Sequence, residues 1–240
     1  MPTDTGGCNA LYDFAPGRRQ HRAGFVPAPG LTAALPDGKW LHSSERSARM
    51  KYNGSDWEIE QGPFPHAHEM VAGFTVIEAD DQAEAIEWAK HWPTADNEGE
   101  FTLEVRETGC SSGCLGFEAN VPPQLTPYMV LLKANEKHER DERVDPEHIA
   151  LMMRRNEEGV RAGVILAGEG LKPAAQGARV KFSGGRHTVI DGPFTEIKEL
   201  IAGYWVIQTA TREEAYEWVR NYPFPNGPDI QIELREVVRQ

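Results

Sequence analysis

The chain has 240 residues, 40% of them hydrophobic, and carries 37 Asp and Glu against 25 Lys and Arg, a formal net charge of -12. That charge repels phosphate backbones, so nucleic acid is not an expected partner. No apolar run approaches the roughly 18 residues of a membrane span, so no membrane partner is expected. The length suits two small domains, each with a modest core.

In chain order, residues 1–22 are polar and rich in Gly, Arg and Pro, and show no strand signal. They have neither the basic start nor the apolar core of a signal peptide. The three cysteines, Cys8, Cys110 and Cys114, do not make a disulfide framework. A reduced, cytoplasmic protein is expected. Phe25-Val26, followed by Pro27 and Pro29, reads as a poor edge strand. Residues 39–60 read as a hairpin with a long tip at Ser43–Arg49 and a further turn signal at Asn53-Gly54. Gln61-Gly62-Pro63-Phe64 is a turn, because Pro removes a ladder donor and Gly favours unusual dihedrals. A strand at Gly73–Ile77 follows. Asp81 then caps a helix whose stripe is Ala85, Trp88, Ala89 and Trp92, and Pro93 stops it. Phe101–Glu107 alternates as a strand. Residues 108–126, with Gly, Ser and Pro-Pro, read as a linker.

The second half begins with a buried strand at Tyr128–Leu132. Asp145 as N-cap and Pro146 at the first helical position start a helix. Its stripe is Ile149, Met152, Met153, Asn156 and Val160, and Gly163 ends it. Val164–Ala167 is a short strand running into Gly168-Glu169-Gly170-Leu171. Residues 178–190 form a hairpin about Gly184-Gly185. Asp191-Gly192-Pro193-Phe194 is again a turn. Gly203–Ile207 is a central strand. Thr211 opens a capping box with Glu214, the helix stripe is Ala215, Trp218, Val219 and Tyr222, and Ile230–Glu236 reads as an edge or half-buried strand.

The two halves are copies. Residues 61–77 and 191–207 align without a gap and share the Gly-Pro-Phe turn and the Glu69/Glu199 pair. A period of this length marks a duplicated domain rather than a solenoid. A match of Arg22-Ala23-Gly24 with Arg161-Ala162-Gly163 leaves the first half without a counterpart of Tyr128–Leu132 and of most of the helix after it. Residues 8–14 or 114–121 are candidates to cover the resulting open edge. The division expected is an irregular segment 1–22, a degenerate repeat 23–107, a linker 108–126 and a complete repeat 127–240. The fold class expected is α+β: two ferredoxin-like units of βαββαβ type, packed as an intramolecular pseudo-dimer.

The second half is similar to the YCII-related family. The residues that carry the likeness are Gly163, Val164, Gly168, Glu169, Leu171 and Pro173, then Asp191–Phe194, Glu196, Lys198 and Glu199. They continue with Gly203, Tyr204, Val206, Ile207, Glu214, Ala215, Glu217, Trp218, Glu233 and Arg235. More narrowly it resembles the branch named for the Asp-Gly-Pro-Phe motif. The resemblance implies a dimeric α+β barrel of ferredoxin-like units. The family is largely of unknown function, with some wider members linked to catabolic enzymes and the branch often associated with alternative sigma factors.

Two functional classes follow: a small-molecule enzyme or binder with a pocket near Asp191, or a non-catalytic accessory or interaction protein. Asp191 can act as a pocket acid or base, or it can spend its side chain on the backbone amides of its own turn. His187 and His148 flank the second-half core and are candidates to line the pocket. Glu196, Lys198 and Glu199 are candidates for binding, or a solvated charge cluster. His66, His68 and Glu69 could offer metal ligands, yet two histidines do not complete a site, so no metal and no cofactor is expected. Cys110 and Cys114 lack the Cys-x-x-Cys spacing of a redox motif. The first half has Gln61, His66 and His68 where the second has Asp191, Glu196 and Lys198. The chemistry is therefore expected in the second half alone.

Overall fold

The computed structural model describes residues 20–26, 39–65, 71–79, 81–92, 101–108, 121–194, 200–225 and 229–239. The first half holds β1 (Gln20–Val26), β2 (Lys39–Trp40), β3 (Ser47–Tyr52), β4 (Trp57–Gln61), β5 (Gly73–Ala79), α1 (Gln82–Lys90) and β6 (Phe101–Glu107). The second holds β7 (Thr126–Lys133), α2 (Glu136–Glu139), α3 (Pro146–Arg161), β8 (Ile165–Gly170), β9 (Ala178–Ser183), β10 (Arg186–Asp191), β11 (Ile201–Thr209), α4 (Arg212–Asn221) and β12 (Gln231–Glu236). Among the described residues no helix is long and apolar enough to cross a membrane.

These strands form two antiparallel sheets, ordered β10-β9-β6-β1-β5-β2 and β4-β3-β12-β7-β11-β8. The last four strands of each sheet come from one half, and β12-β7-β11-β8 runs in the fourth-first-third-second order of a ferredoxin-like unit. The remaining pair in each sheet is a hairpin from the other half. β3 pairs with β12, Leu234 opposite Ala48, and β9 pairs with β6, Leu103 opposite Val180. The ends of the sheets also touch, through the bridges Leu41–Val237 and Thr108–Leu171.

This exchange explains why β12 and β6, whose alternating pattern reads as edge or half-buried, are not edges. Each is paired on both sides, and Ile232, Glu233, Leu234 and Arg235 are all buried. On β12 the polar Glu233 and Arg235 are buried and bond to each other, Arg235 Nη1 donating to Glu233 Oε1 at 3.0 Å. The first half also does have its central strand. Gln20–Val26 pairs with β5 on one side and β6 on the other, the place β7 holds in its own sheet. The Arg22-Ala23-Gly24 match was therefore misplaced. Phe25-Val26 belong to a central strand, and the edge is β2, a segment of two residues. Residues 8–14 and 114–120 lie outside the described residues.

The local rules hold elsewhere. Asp81 accepts a bond from Glu84 N at 2.9 Å, Asp145 from Glu147 N at 3.0 Å and Thr211 from Glu214 N at 3.2 Å, so all three expected caps form. Gly184 and Gly185 take φ of +56° and +74°, as a tight hairpin turn requires. The first hairpin turns at Asn53, whose Oδ1 accepts from Ser55 N and Asp56 N. Its expected long tip is instead a 3-10 turn at Ser44–Arg46 followed directly by β3. Met153 leaves the expected α3 stripe and is 39% exposed, because Met152 and Asn156 already fill the buried side.

Three apolar clusters result. One lies under α3 and α4 and includes Val130, Leu132, Trp205 and Ile207. Another lies under α1 with Phe101 and Phe182, whose rings stack at 4.4 Å. The remaining cluster joins the halves: Leu41, Val71 and Phe74 of the first meet Met129, Leu131, Tyr204 and Val206 of the second. Burying side chains of this size contributes about 1.5–3 kcal/mol each.

Candidate functional site

The repeated turn has a structural task in both halves. Gly62 and Gly192 sit at cis Gly-Pro bonds. Gly62 N donates to Ser47 O and Gly192 N to Gly177 O, both at 3.0 Å. Phe64 and Phe194 are buried, and each carries a guanidinium on its face: Arg49 at 4.2 Å from the first ring centre and Arg179 at 4.0 Å from the second. Each arginine also reaches an acid of the other half's last strand. Arg179 Nε donates to Glu104 Oε2 at 2.9 Å, and Arg49 Nε lies 3.8 Å from Glu233 Oε2. Glu104 and Glu233 in turn accept from Arg106 and Arg235, each at 3.0 Å.

Asp191 stands at the exposed end of edge strand β10. Its counterpart Gln61 is engaged: Nε2 donates to Tyr216 Oη at 2.7 Å. His187 lies on the exposed part of β10 beside the Phe182 ring, 6.0 Å between centres. Neither Asp191 nor His187 lines the cleft described below. His148 does line it, and its Nε2 donates to Pro223 O at 3.1 Å, tying α3 to the chain after α4. Glu196, Lys198 and Glu199 lie outside the described residues, as do His66, His68, Glu69, Cys110 and Cys114. Among the described residues no three His, Cys, Asp or Glu side chains gather as a metal set.

The cleft is a space of about 420 Å³ between α2, α3 and the strands β8 and β11. Glu169, His138, His148, Asn156, Lys172 and Trp205 are on its wall. Each is placed by a local feature. Asn135 Oδ1 accepts from His138 N at 3.0 Å and so caps the short α2. Asp141 at φ +54° ends it. Asn156 is buried on α3, where its Oδ1 accepts from Trp205 Nε1 at 3.1 Å and from Tyr222 Oη at 2.6 Å. Glu169 pairs in register with Tyr204, so the two share a face of the sheet.

Glu169 is the distinctive group. It is 3% exposed, and its Oε1 has no hydrogen-bond partner among the described residues. Burial raises its pKa to about 8, so at neutral pH most of it is the protonated acid. His138, another residue of the cleft wall, is driven the other way, to about 4, by burial first and then by the positive charge of Arg106. It is a neutral imidazole at pH 7, and its 3.7 Å approach to Glu139 Oε1 is therefore not an ion pair. His138 Nε2 is also unbonded among the described residues. A carboxylic acid kept neutral by burial can exchange a proton near neutral pH.

Sequence reasoning missed both groups. Glu169 had a signal: it is a lone acid in the apolar run Val164–Leu171, in the same alternation as Ala167 and Leu171, both buried. His138 had none, since α2 is four residues long and carries no periodicity. The first half has Lys39 opposite Phe74 where the second has Glu169 opposite Tyr204.

The domain model described as YCII-related matches residues 36–108 and 126–239, one segment in each half. A curated relative is an uncharacterised protein of Rhizobium meliloti (strain 1021), 31% identical over 97 residues that make up 40% of this chain and 75% of the relative.

Proposed function

The chain belongs to the YCII-related family, and on that footing we propose that its second-half cleft binds a small carbonyl-bearing molecule and moves a proton on it. The observation that carries this reading is Glu169 itself, a residue bordering the cleft whose carboxyl is buried and whose Oε1 has no hydrogen-bond partner among the described residues. The ionised fraction of a group titrating near 8 is about one-tenth at pH 7, and a desolvated carboxylate is a strong base. Glu169 takes a proton from the carbon next to the carbonyl. His138, neutral, donates a hydrogen bond to the oxygen that gains the charge. Glu169 then returns the proton, so atoms balance without a co-reactant.

The same reading puts the protein in the branch named for the Asp-Gly-Pro-Phe motif and takes the halves as an intramolecular pseudo-dimer of the dimeric α+β barrel type. The exchanged hairpins and the bridges Leu41–Val237 and Thr108–Leu171 support it.

The test is a set of small carbonyl compounds screened by melting temperature, with each stabilising compound then incubated in heavy water and followed by proton NMR. The wild type should catalyse exchange of hydrogen beside the carbonyl. Glu169→Gln, which keeps shape and neutral charge, should bind the compound and not exchange it. Exchange at the wild-type rate in Glu169→Gln refutes the reading.

A further inference from the structure

Arg106 belongs to the first half, on β6, yet its head lies against the second half's cleft wall. It is 0% exposed. Its Nε donates to Lys172 O at 3.1 Å, and its Nη2 donates to the same oxygen. Its Nη1 is held by Glu104 Oε1 at 3.0 Å, and Nη2 lies 4.0 Å from Glu139 Oε1. The chain has made room for it: a Cβ on Gly177 would come within 2.7 Å of Arg106 Cδ. The neighbouring backbone is stitched in the same place, with Lys172 N donating to Glu107 O at 2.9 Å and Thr108 bridging Leu171. Lys172 follows β8 and lines the cleft. Glu139 closes α2, and its Oε2 accepts from Ala174 N at 2.9 Å, which seats α2 on the segment that Arg106 clamps.

We propose that Arg106 is a positioning residue of the second-half cleft: by clamping Lys172 O and facing Glu139 it seats α2 and so holds His138 on the cleft wall with Glu169. The first half thereby supplies a part that the second half lacks. The inference rests on the reading of the cleft as the functional site, but its own test does not depend on a ligand.

The pseudo-symmetric mate of Arg106 provides the control. Arg235, 3% exposed, has the same kind of partners: Nη1 on Glu233 Oε1 at 3.0 Å and Nη2 on His42 O at 2.8 Å. It serves the opposite junction. The charged groups that act on His138 are Arg106 from β6, Glu139 of α2 at 3.7 Å and Asp141 after it.

The experiment uses the full chain. His138 is titrated by NMR of its ring protons in wild type, Arg106→Met, Arg106→Lys and Arg235→Met. In Arg106→Met the midpoint should rise by about one pH unit or more, since a neighbouring cation and the seat of α2 are both gone. In Arg235→Met the protein should lose stability without any change at His138. In Arg106→Lys, where an ammonium cannot repeat the paired bonds of the guanidinium, the midpoint should stay low. The α2 amides of Glu139, Arg140 and Asp141 should then exchange about tenfold faster or more, with α4 amides unchanged. This last variant also decides the matter if Arg106→Met does not fold. An unchanged His138 midpoint in Arg106→Met, an equal shift in Arg235→Met, or unchanged α2 exchange in Arg106→Lys overturns the proposal. A shift confined to Arg106→Met together with failure of the heavy-water test leaves this positioning intact and rejects the cleft chemistry.

Discussion

Gly192 packs against the carbonyl oxygen of Ala174 so closely that a Cβ would stand 1.8 Å from it. Gly62 has the same relation to Ser44, at 1.7 Å. The carbonyl belongs to the first residue of a 3-10 turn in both cases, Ser44–Arg46 and Ala174–Gln176. Gly192→Ala and Gly62→Ala should each cost at least about 2 kcal/mol, because backbone and not a flexible side chain must move. Urea denaturation measures this. Asp191→Asn, next to Gly192 but exposed, should change stability by less than about 0.5 kcal/mol.

Glu233 is 1% exposed between three cations: Arg235 at 3.0 Å, Lys133 at 3.6 Å and Arg49 at 3.8 Å. Burial works against its ionised form, but Lys133, Arg235 and Arg49 outweigh it and hold its pKa below the usual value. A folded-state pKa that is depressed means stability present above the ordinary carboxylate range and lost as pH falls through it. Glu233→Ala should cost about 3–5 kcal/mol at pH 7, since it leaves buried cations without their acid. The loss should shrink in acid, where the wild type gives up the same interaction. Thermal melts of both proteins from pH 3 to 7 check the convergence.

The exchanged hairpins predict how the halves behave apart. Residues 126–239 alone keep β7, β8, β11 and β12 but lose β3 and β4 from the open side of β12. They also lose Leu41, Val71 and Phe74 from the shared core. The isolated second half should self-associate or melt well below the full chain. Light scattering and melting on both constructions of the chain would show it; an isolated half that is monomeric and equally stable rules out the pairing described.

Glu169 gives the opposite pH response from Glu233. Its folded pKa of about 8 is raised above the ordinary 4.5, so the folded state binds the extra proton between those values. The stabilisation is present below 4.5 and is lost as pH rises to 8. At about 1.4 kcal/mol per pH unit the span is on the order of 5 kcal/mol. Glu169→Gln should remove that slope and exceed the wild type in stability above pH 8, which denaturant midpoints at pH 5, 7 and 9 would reveal.

Much of the architecture could be read from residue order. The caps at Asp81, Asp145 and Thr211, the double glycine at Gly184-Gly185 and the Gly-Pro-Phe turns are local devices, and local devices leave local marks. The exchange of hairpins leaves none, because β3 and β9 carry ordinary strand patterns whichever neighbour they pair with. Only the Phe25-Val26 end of β1 was legible, and as an edge, since Gln20, His21 and Arg22 lack apolar alternation; its central place is fixed by β5 and β6 on either side. The site was less legible. Asp191 drew attention through its motif, while Glu169 owes its properties to what buries it and His138 to its burial and then to Arg106, a residue 32 positions earlier in the other half.

The most direct measurement is the titration of the Glu169 carboxyl itself, by NMR on protein labelled with carbon-13 at glutamate side-chain carboxyls, with Glu169→Gln to assign the signal. A midpoint near 8, the value burial imposes, is the predicted result. A midpoint in the ordinary carboxylate range, near 4.5, would contradict the account, since Glu169 would then not be the desolvated carboxyl, raised in basicity by burial, on which the reading rests.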